Sequence, residues 1–162
     1  MDMKPYVIEK AREAKRGSRA LGRATTGAKN AALLRMAAML REGASALIEE
    51  NGHDVAYAIE KGLSKALVDR LALDEKRKGE MASGLEEVAA LPDPVGEMLN
   101  VRQRPNGMGV GKMRVPIGVI GIIYEARPNV TADATGLCLK AGNAVILRGG
   151  SDSFNSSGQI HA

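Results

Sequence analysis

Two short segments of this 162-residue chain set chemically capable side chains beside one another. The first runs Tyr124-Glu125-Ala126-Arg127-Pro128-Asn129 and closes an apolar stretch, placing a carboxylate, a guanidinium and a carboxamide at alternate positions. A guanidinium grips carboxylate or phosphate through a fork of N–H donors, and an amide donor can stabilise an oxyanion. The second, Arg148-Gly149-Gly150-Ser151, ends another apolar stretch. Its arginine suits a phosphate, its glycines admit a ligand close to the backbone, and its serine stands at a helix start, where free N–H groups favour an anion. Each segment also has a plainer reading. Glu125 and Arg127 could form a loop salt bridge while Asn129 caps the next helix, and the second segment could be a Gly-Gly turn with a solvent-facing Arg148.

Other motifs carry less chemistry. Gly107 to Met113, "GMGVGKM", is one residue short of a phosphate-binding loop, has Met113 in place of the hydroxyl, and precedes a strand, so its glycines belong to a hairpin. Gly118-Val119-Ile120-Gly121 lacks the third glycine of a dinucleotide fingerprint; these glycines let a helix or ligand approach the strand. Cys138 lies between Leu137 and Leu139 with no cation to activate it, which makes it a buried structural thiol. It is the only cysteine, so no intrachain disulfide forms, and His53 and His161 stand apart from any second metal ligand. No metal site is expected.

Hydrophobic residues make up 44% and charged residues 26% of the chain, the balance of a globular protein. No apolar run nears the ~20 residues of a membrane span. The first thirty or so residues are too rich in Lys, Arg and Glu for a signal peptide. With the cysteine usage, this gives a cytoplasmic expectation. The net charge of +4 accompanies one Phe, three Tyr and no Trp. Lacking aromatic platforms, the basic residues read as a solvated surface, and neither nucleic acid nor membrane is an expected partner.

The elements that must position these segments follow from periodicity. Residues 4–24 read as a lightly packed, charged helix. A stronger helix starts at a Thr25 or Thr26 cap, carries Leu33, Leu34, Ala37, Leu40, Leu47 and Ile48 near helical spacing, and stops at Asn51-Gly52. Short helices follow over 53–62 and 64–73, then one capped by Asp74 and ended by Pro92 and Pro94. Residues 98–115 form a hairpin turning at Pro105-Asn106-Gly107. Residues 116–125 and 143–150 read as strands buried on both faces, joined by a helix ending at Gly142, with a further helix opening at a Ser151-Asp152 cap. Strand, helix and strand in this order make a right-handed βαβ unit with parallel pairing. The class is α/β: N-terminal helices, a protruding β-hairpin and the opening of a parallel sheet, with one βαβ unit too small to be covered alone. A chain cut within a larger fold is therefore expected.

The stretch "RVPIGVIGIIYEARPNVTADATGLCLKAGNAVILRGGSDSF", with "GLSKALVDRLALDEKR" and "LPDPVGEM" upstream, resembles the gamma-glutamyl phosphate reductase (glutamate-5-semialdehyde dehydrogenase) family of the aldehyde dehydrogenase superfamily. "YEARPNVT" is specific to it; "AGNAVILRGG" is shared more loosely with aldehyde dehydrogenases. The likeness covers nearly the whole chain but only the N-terminal portion of a family member. It implies NADPH-dependent reduction of L-glutamyl 5-phosphate to L-glutamate 5-semialdehyde and phosphate, the second step of proline biosynthesis. It also implies a Rossmann-like cofactor domain, with 1–97 as its helical part, 98–115 as an oligomerisation arm of a homo-oligomer, and 116–162 as the first βαβ unit. The family's catalytic cysteine lies beyond residue 162, so the stretch alone would be inactive. Tyr124, Arg148, Gly149, Gly150 and Ser151 would meet NADP(H), and Glu125 and Arg127 the substrate. Asn129 would serve the oxyanion or position it, although counting from the flanking motifs points instead to Arg127 or Glu125. Arg148 and Ser151 replace the lysine and glutamate common in NAD-preferring relatives, which favours NADP(H). Glutamate 5-kinase is a further implied partner. An aldehyde dehydrogenase-fold enzyme with another acyl substrate, or a non-catalytic α/β binding or assembly module, are the alternatives.

Overall fold

The computed structural model describes residues 3–125 and 127–161. Five helices come first: α1 (Met3–Leu21), α2 (Thr26–Glu42), α3 (Ala44–Glu60), α4 (Lys65–Leu71) and α5 (Glu75–Ala90). The strands β1 (Met98–Gln103) and β2 (Gly109–Met113) follow, then β3 (Val119–Ile123), α6 (Pro128–Lys140), β4 (Ala144–Arg148), a 3-10 turn (Ser151–Ser153) and α7 (Phe154–His161). Local chemistry sets several boundaries. Thr25, not Thr26, caps α2 by accepting from the Ala28 amide at 3.2 Å. Asp74 caps α5 by accepting from the Arg77 amide at 2.7 Å. Gly142 closes α6 at φ +71, a backbone region costly for other residues.

The long helix expected from Thr25 to Gly52 is in fact two. It breaks at Gly43, and α3 then runs through Asn51-Gly52 to Glu60. Asn51 does not stop the helix because its side chain is engaged elsewhere. Its amide donates to the Leu71 carbonyl and to Ser156 Oγ, each at 2.9 Å, while its Oδ1 accepts from the Leu73 amide at 2.6 Å. Those bonds dock α4 and α7 onto α3.

Leu33 and Ala37 on α2 pack against Ala82, Leu85 and Ala89 on α5, while Leu34 turns outward. Leu47, Leu73, Met81 and Ala132 continue the core toward α6. Gly136 sits where an added Cβ would stand 2.6 Å from Leu85, so only glycine lets α6 press onto α5 this closely. The reading of the basic residues as a solvated surface needs correction for three lysines. Lys29, Lys78 and Lys140 are buried. Lys140 Nζ donates to Asn30 Oδ1 at 2.6 Å and to the Ala89 carbonyl at 2.8 Å, tying α6 to α2 and α5. Lys29, 2% exposed, pairs with Asp93 at 2.6 Å.

β1 and β2 pair antiparallel, and all of their residues but the half-buried Leu99 are exposed. β3 and β4 pair parallel from Val119↔Ala144 to Ile123↔Arg148. The expectation that both strands are buried on both faces is not met. Among the described residues the sheet has these two strands alone, so β3 is half-covered and Ile123 is 82% exposed. Nor does anything approach Gly121: a Cβ added there would meet no atom within 4 Å, whereas Gly118 holds φ +116. The helix expected at the Ser151-Asp152 cap begins instead with the 3-10 turn, and α7 receives its cap from α3. Asp54 Oδ1 accepts from the Asn155 amide (3.2 Å) and Nδ2 (2.9 Å), and Oδ2 from the Ser156 amide (2.8 Å) and Oγ (2.5 Å).

Burial alone would raise the Asp93 carboxyl, but bonds from Lys29, Thr26 and the Val95 amide outweigh it and hold the group at about 2, below its ordinary 3.8. A depressed carboxyl stabilises the fold above its unfolded value and loses that contribution as pH falls through the folded one. Asp93→Ala should cost about 3–5 kcal/mol at pH 7, because it strands a buried ammonium. In urea unfolding the gap between wild type and Asp93→Asn should narrow as pH drops from about 4 to 2. A gap independent of pH over that interval would remove the role given to the pair.

Candidate functional site

Parallel pairing brings the two polar segments side by side. β3 and β4 end level, and the Tyr124 amide continues the ladder by donating to the Arg148 carbonyl at 3.1 Å. Tyr124 then reaches across the β4 exit. Its hydroxyl lies 2.7 Å from Thr131 Oγ1 on α6, which is in turn 3.5 Å from Ser157 Oγ on α7. Its ring covers Gly149, where an added Cβ would stand 3.1 Å from the hydroxyl oxygen and 3.2 Å from Cζ. Gly149 therefore makes room for a tyrosine of the protein itself. Gly150, at φ −66 and ψ 156, precedes the 3-10 turn, and its carbonyl accepts from the Ser153 amide at 3.4 Å.

Arg148 is exposed, and its Nη1 bonds the Gly149 carbonyl at 3.3 Å. No carboxylate neutralises it among the described residues, so its charge is open to an anion. Ser151 is also exposed, with Oγ 3.5 Å from Asp152 Oδ1, so one acid does stand beside this edge. The residues present fit the phosphate of a dinucleotide at Arg148 better than they fit a glycine cradle at Gly149.

Glu125 and Arg127 are both exposed, and they form no ion pair with each other among the described residues. Their link is through the backbone, where the Arg127 amide donates to the Glu125 carbonyl at 2.8 Å. Asn129 does not cap α6. Pro128 takes the first helical position and Arg127 the cap, without a side-chain bond. Asn129 Nδ2 instead donates to Asp133 Oδ2 at 3.3 Å, one turn on. Both residues line a separate cleft of about 260 Å³ with Arg70, Leu73, Arg77 and Met81. Burial raises the Asp133 carboxyl above its ordinary value, and the Asn129 bond only partly opposes this. The sequence reading overlooked Asp133 and Arg70, although the Asn129–Asp133 spacing of four on one helix was there to be read. Cys138 is buried and its thiol is raised by that burial, as befits a structural role.

No family model matches the chain. Individual relatives do. Over 157 residues it is 60% identical to the gamma-glutamyl phosphate reductase of Thermodesulfovibrio yellowstonii, a span of 97% of this chain and 38% of that protein. Over 159 residues it is 55% identical to that of Clostridium tetani, covering 98% of the chain and 37% of the relative. The chain is homologous to the N-terminal part of gamma-glutamyl phosphate reductases. The solved reductase of Thermotoga maritima superposes with a TM-score of 0.91 at 47% identity, over 94% of this chain and 37% of that one. The reductase of Saccharomyces cerevisiae does so at 0.88 and 35% identity, over 93% and 38%. The chain thus spans under two-fifths of the reductases that it matches.

Packing of Tyr124 over Gly149 is testable by a double-mutant cycle. Gly149→Ala should destabilise by about 1–3 kcal/mol, the usual cost of overpacking. In a Tyr124→Ala background the same change should cost much less in thermal unfolding. Additive losses would mean that the ring and the glycine are independent.

Proposed function

We propose that the protein carrying this chain reduces L-glutamyl 5-phosphate to L-glutamate 5-semialdehyde with NADPH, releasing phosphate, as a cytoplasmic enzyme in the second step of proline biosynthesis. The observation that carries this is the 55–60% identity to gamma-glutamyl phosphate reductases over nearly the whole chain. The nucleophilic cysteine belongs to the remainder of such an enzyme, so residues 1–162 by themselves are expected to be inactive. The bound cofactor supplies the hydride. In this chain Arg148 pairs with the 2′-phosphate of the adenosine ribose, supported by its exposed and uncompensated guanidinium. Gly150 and Ser151 offer the backbone and hydroxyl at the same edge, and Tyr124 holds that edge in place through Thr131. Glu125 and Arg127 stand in solvent on the neighbouring loop, where they can meet the acyl-phosphate end of the substrate.

The hairpin fits an arm between copies. Met98, Val101, Val110 and Met113 are exposed apolar side chains on its strands, and a second copy would cover them. Glutamate 5-kinase, which makes the unstable acyl phosphate, is the partner that this chemistry calls for.

The test is the full-length enzyme assayed in the oxidative direction, following phosphate-dependent NADP⁺ reduction with L-glutamate 5-semialdehyde. Absence of that activity would sink the reaction. Arg148→Ala should raise KM for NADP(H) about 10- to 100-fold, the worth of a charge-assisted hydrogen bond, and change KM for NAD(H) little. Equal losses with both cofactors would reject the arginine's part.

A further inference from the structure

We propose that the cleft between α4, the start of α5 and the first turns of α6 receives the α-amino-acid head of the substrate, Arg70 taking its carboxylate and Asp133 its ammonium. This rests on the reaction proposed above and assigns the part of the substrate that does not react. The cleft is about 260 Å³ and carries charges of both signs. Its members differ in how far they are already engaged. Arg77 bonds both Asp69 oxygens at 3.2 Å and the Ala72 carbonyl at 2.8 Å, so its donors are largely used. Glu80 pairs with Lys76 at 3.8 Å. Arg70 has no partner among the described residues. Asp133 accepts a single bond, from Asn129, and a carboxylate has room for more.

One open cation and one open anion on the walls of one cleft match a zwitterion. They do not match the substrate's other end, because a phosphate drawn to Arg70 would meet the Asp133 and Glu80 carboxylates. The partial desolvation that raises Asp133 is a disadvantage to the free protein that an incoming ammonium removes. Leu73 and Met81 add apolar wall for the methylene chain. Asn129 steadies Asp133 and stands two residues from Arg127. The cleft thus adjoins, at the start of α6, the loop that carries Arg127 and Glu125.

Three aldehydes separate the two contacts in the full-length enzyme: L-glutamate 5-semialdehyde, 5-oxopentanoate without the ammonium, and 4-aminobutanal without the carboxylate. Arg70→Gln should raise KM at least about 10-fold for the first two and leave the third unchanged. Asp133→Asn should raise it for the first and third and leave 5-oxopentanoate unchanged. KM for NADP⁺ and the thermal midpoint should hold in both, and Arg70→Lys should recover part of the loss. Variants that alter all three aldehydes alike, or none, overturn the inference while the wild-type activity keeps the proposed reaction standing. A wild type without turnover of L-glutamate 5-semialdehyde overturns the reaction and the inference together.

Discussion

The Asp54 carboxylate is the contact on which the placement of the candidate site depends. It is almost wholly buried on α3, where an uncompensated charge would be prohibitive. Four donors from Asn155 and Ser156 satisfy it, and two of these are backbone amides at the start of α7 that a helix cannot satisfy internally. Eight residues are too few to hold a helix by propensity alone. The carboxylate thus gives α7 its position, and α7 fixes where the chain must go on leaving β4. Beside it, Asn51 bonds the same Ser156 hydroxyl while also holding Leu71 and Leu73, so α4 and α7 share one anchor. The glycine pair after Arg148 is stretched between this anchor and the end of a strand.

That explains which parts of the molecule were legible from local pattern. The caps at Thr25 and Asp74, the hairpin turn and the βαβ order depend on neighbours a few residues away, and each formed where its residue types required. The continuation past Asn51 depends on partners about twenty to a hundred residues distant. Nothing in "EENGHD" says that its asparagine will be buried and fully bonded. The buried lysines are alike in this. Lys140 looks like an ordinary basic residue in the last turn of a helix, yet its ammonium serves Asn30 and the Ala89 carbonyl near the end of another helix. Its long aliphatic stem makes such a reach possible.

For the site, the adjacency of the two polar loops was readable because parallel pairing brings strand ends level. The separation of Asn129 from them was not. It follows from a shift of the helix start by two residues: Arg127 takes the cap and Pro128 enters the helix first, since it needs no amide partner and already holds a helical φ. Asn129 then moves from a cap, where its side chain would turn back on the helix end, to a helical position facing Asp133. Gly149 likewise carried a true signal for close approach, but the approaching group is the Tyr124 ring.

The first turns of α6 consequently serve two neighbourhoods at once. Thr131 points its hydroxyl toward Tyr124 and the β4 exit, while Asn129 and Asp133 line the cleft toward α4 and α5. Gly136 lets the same helix lie hard against Leu85, where an added Cβ would stand 2.6 Å from the leucine side chain. The edge bearing Arg148 and the cleft lined by charges of both signs are thus set apart by a single helix, and their spacing is a property of helix packing more than of either loop. The polar residues of "YEARPN" divide accordingly: Tyr124 belongs to the edge, Asn129 to the cleft, and Glu125 and Arg127 to the exposed span between them.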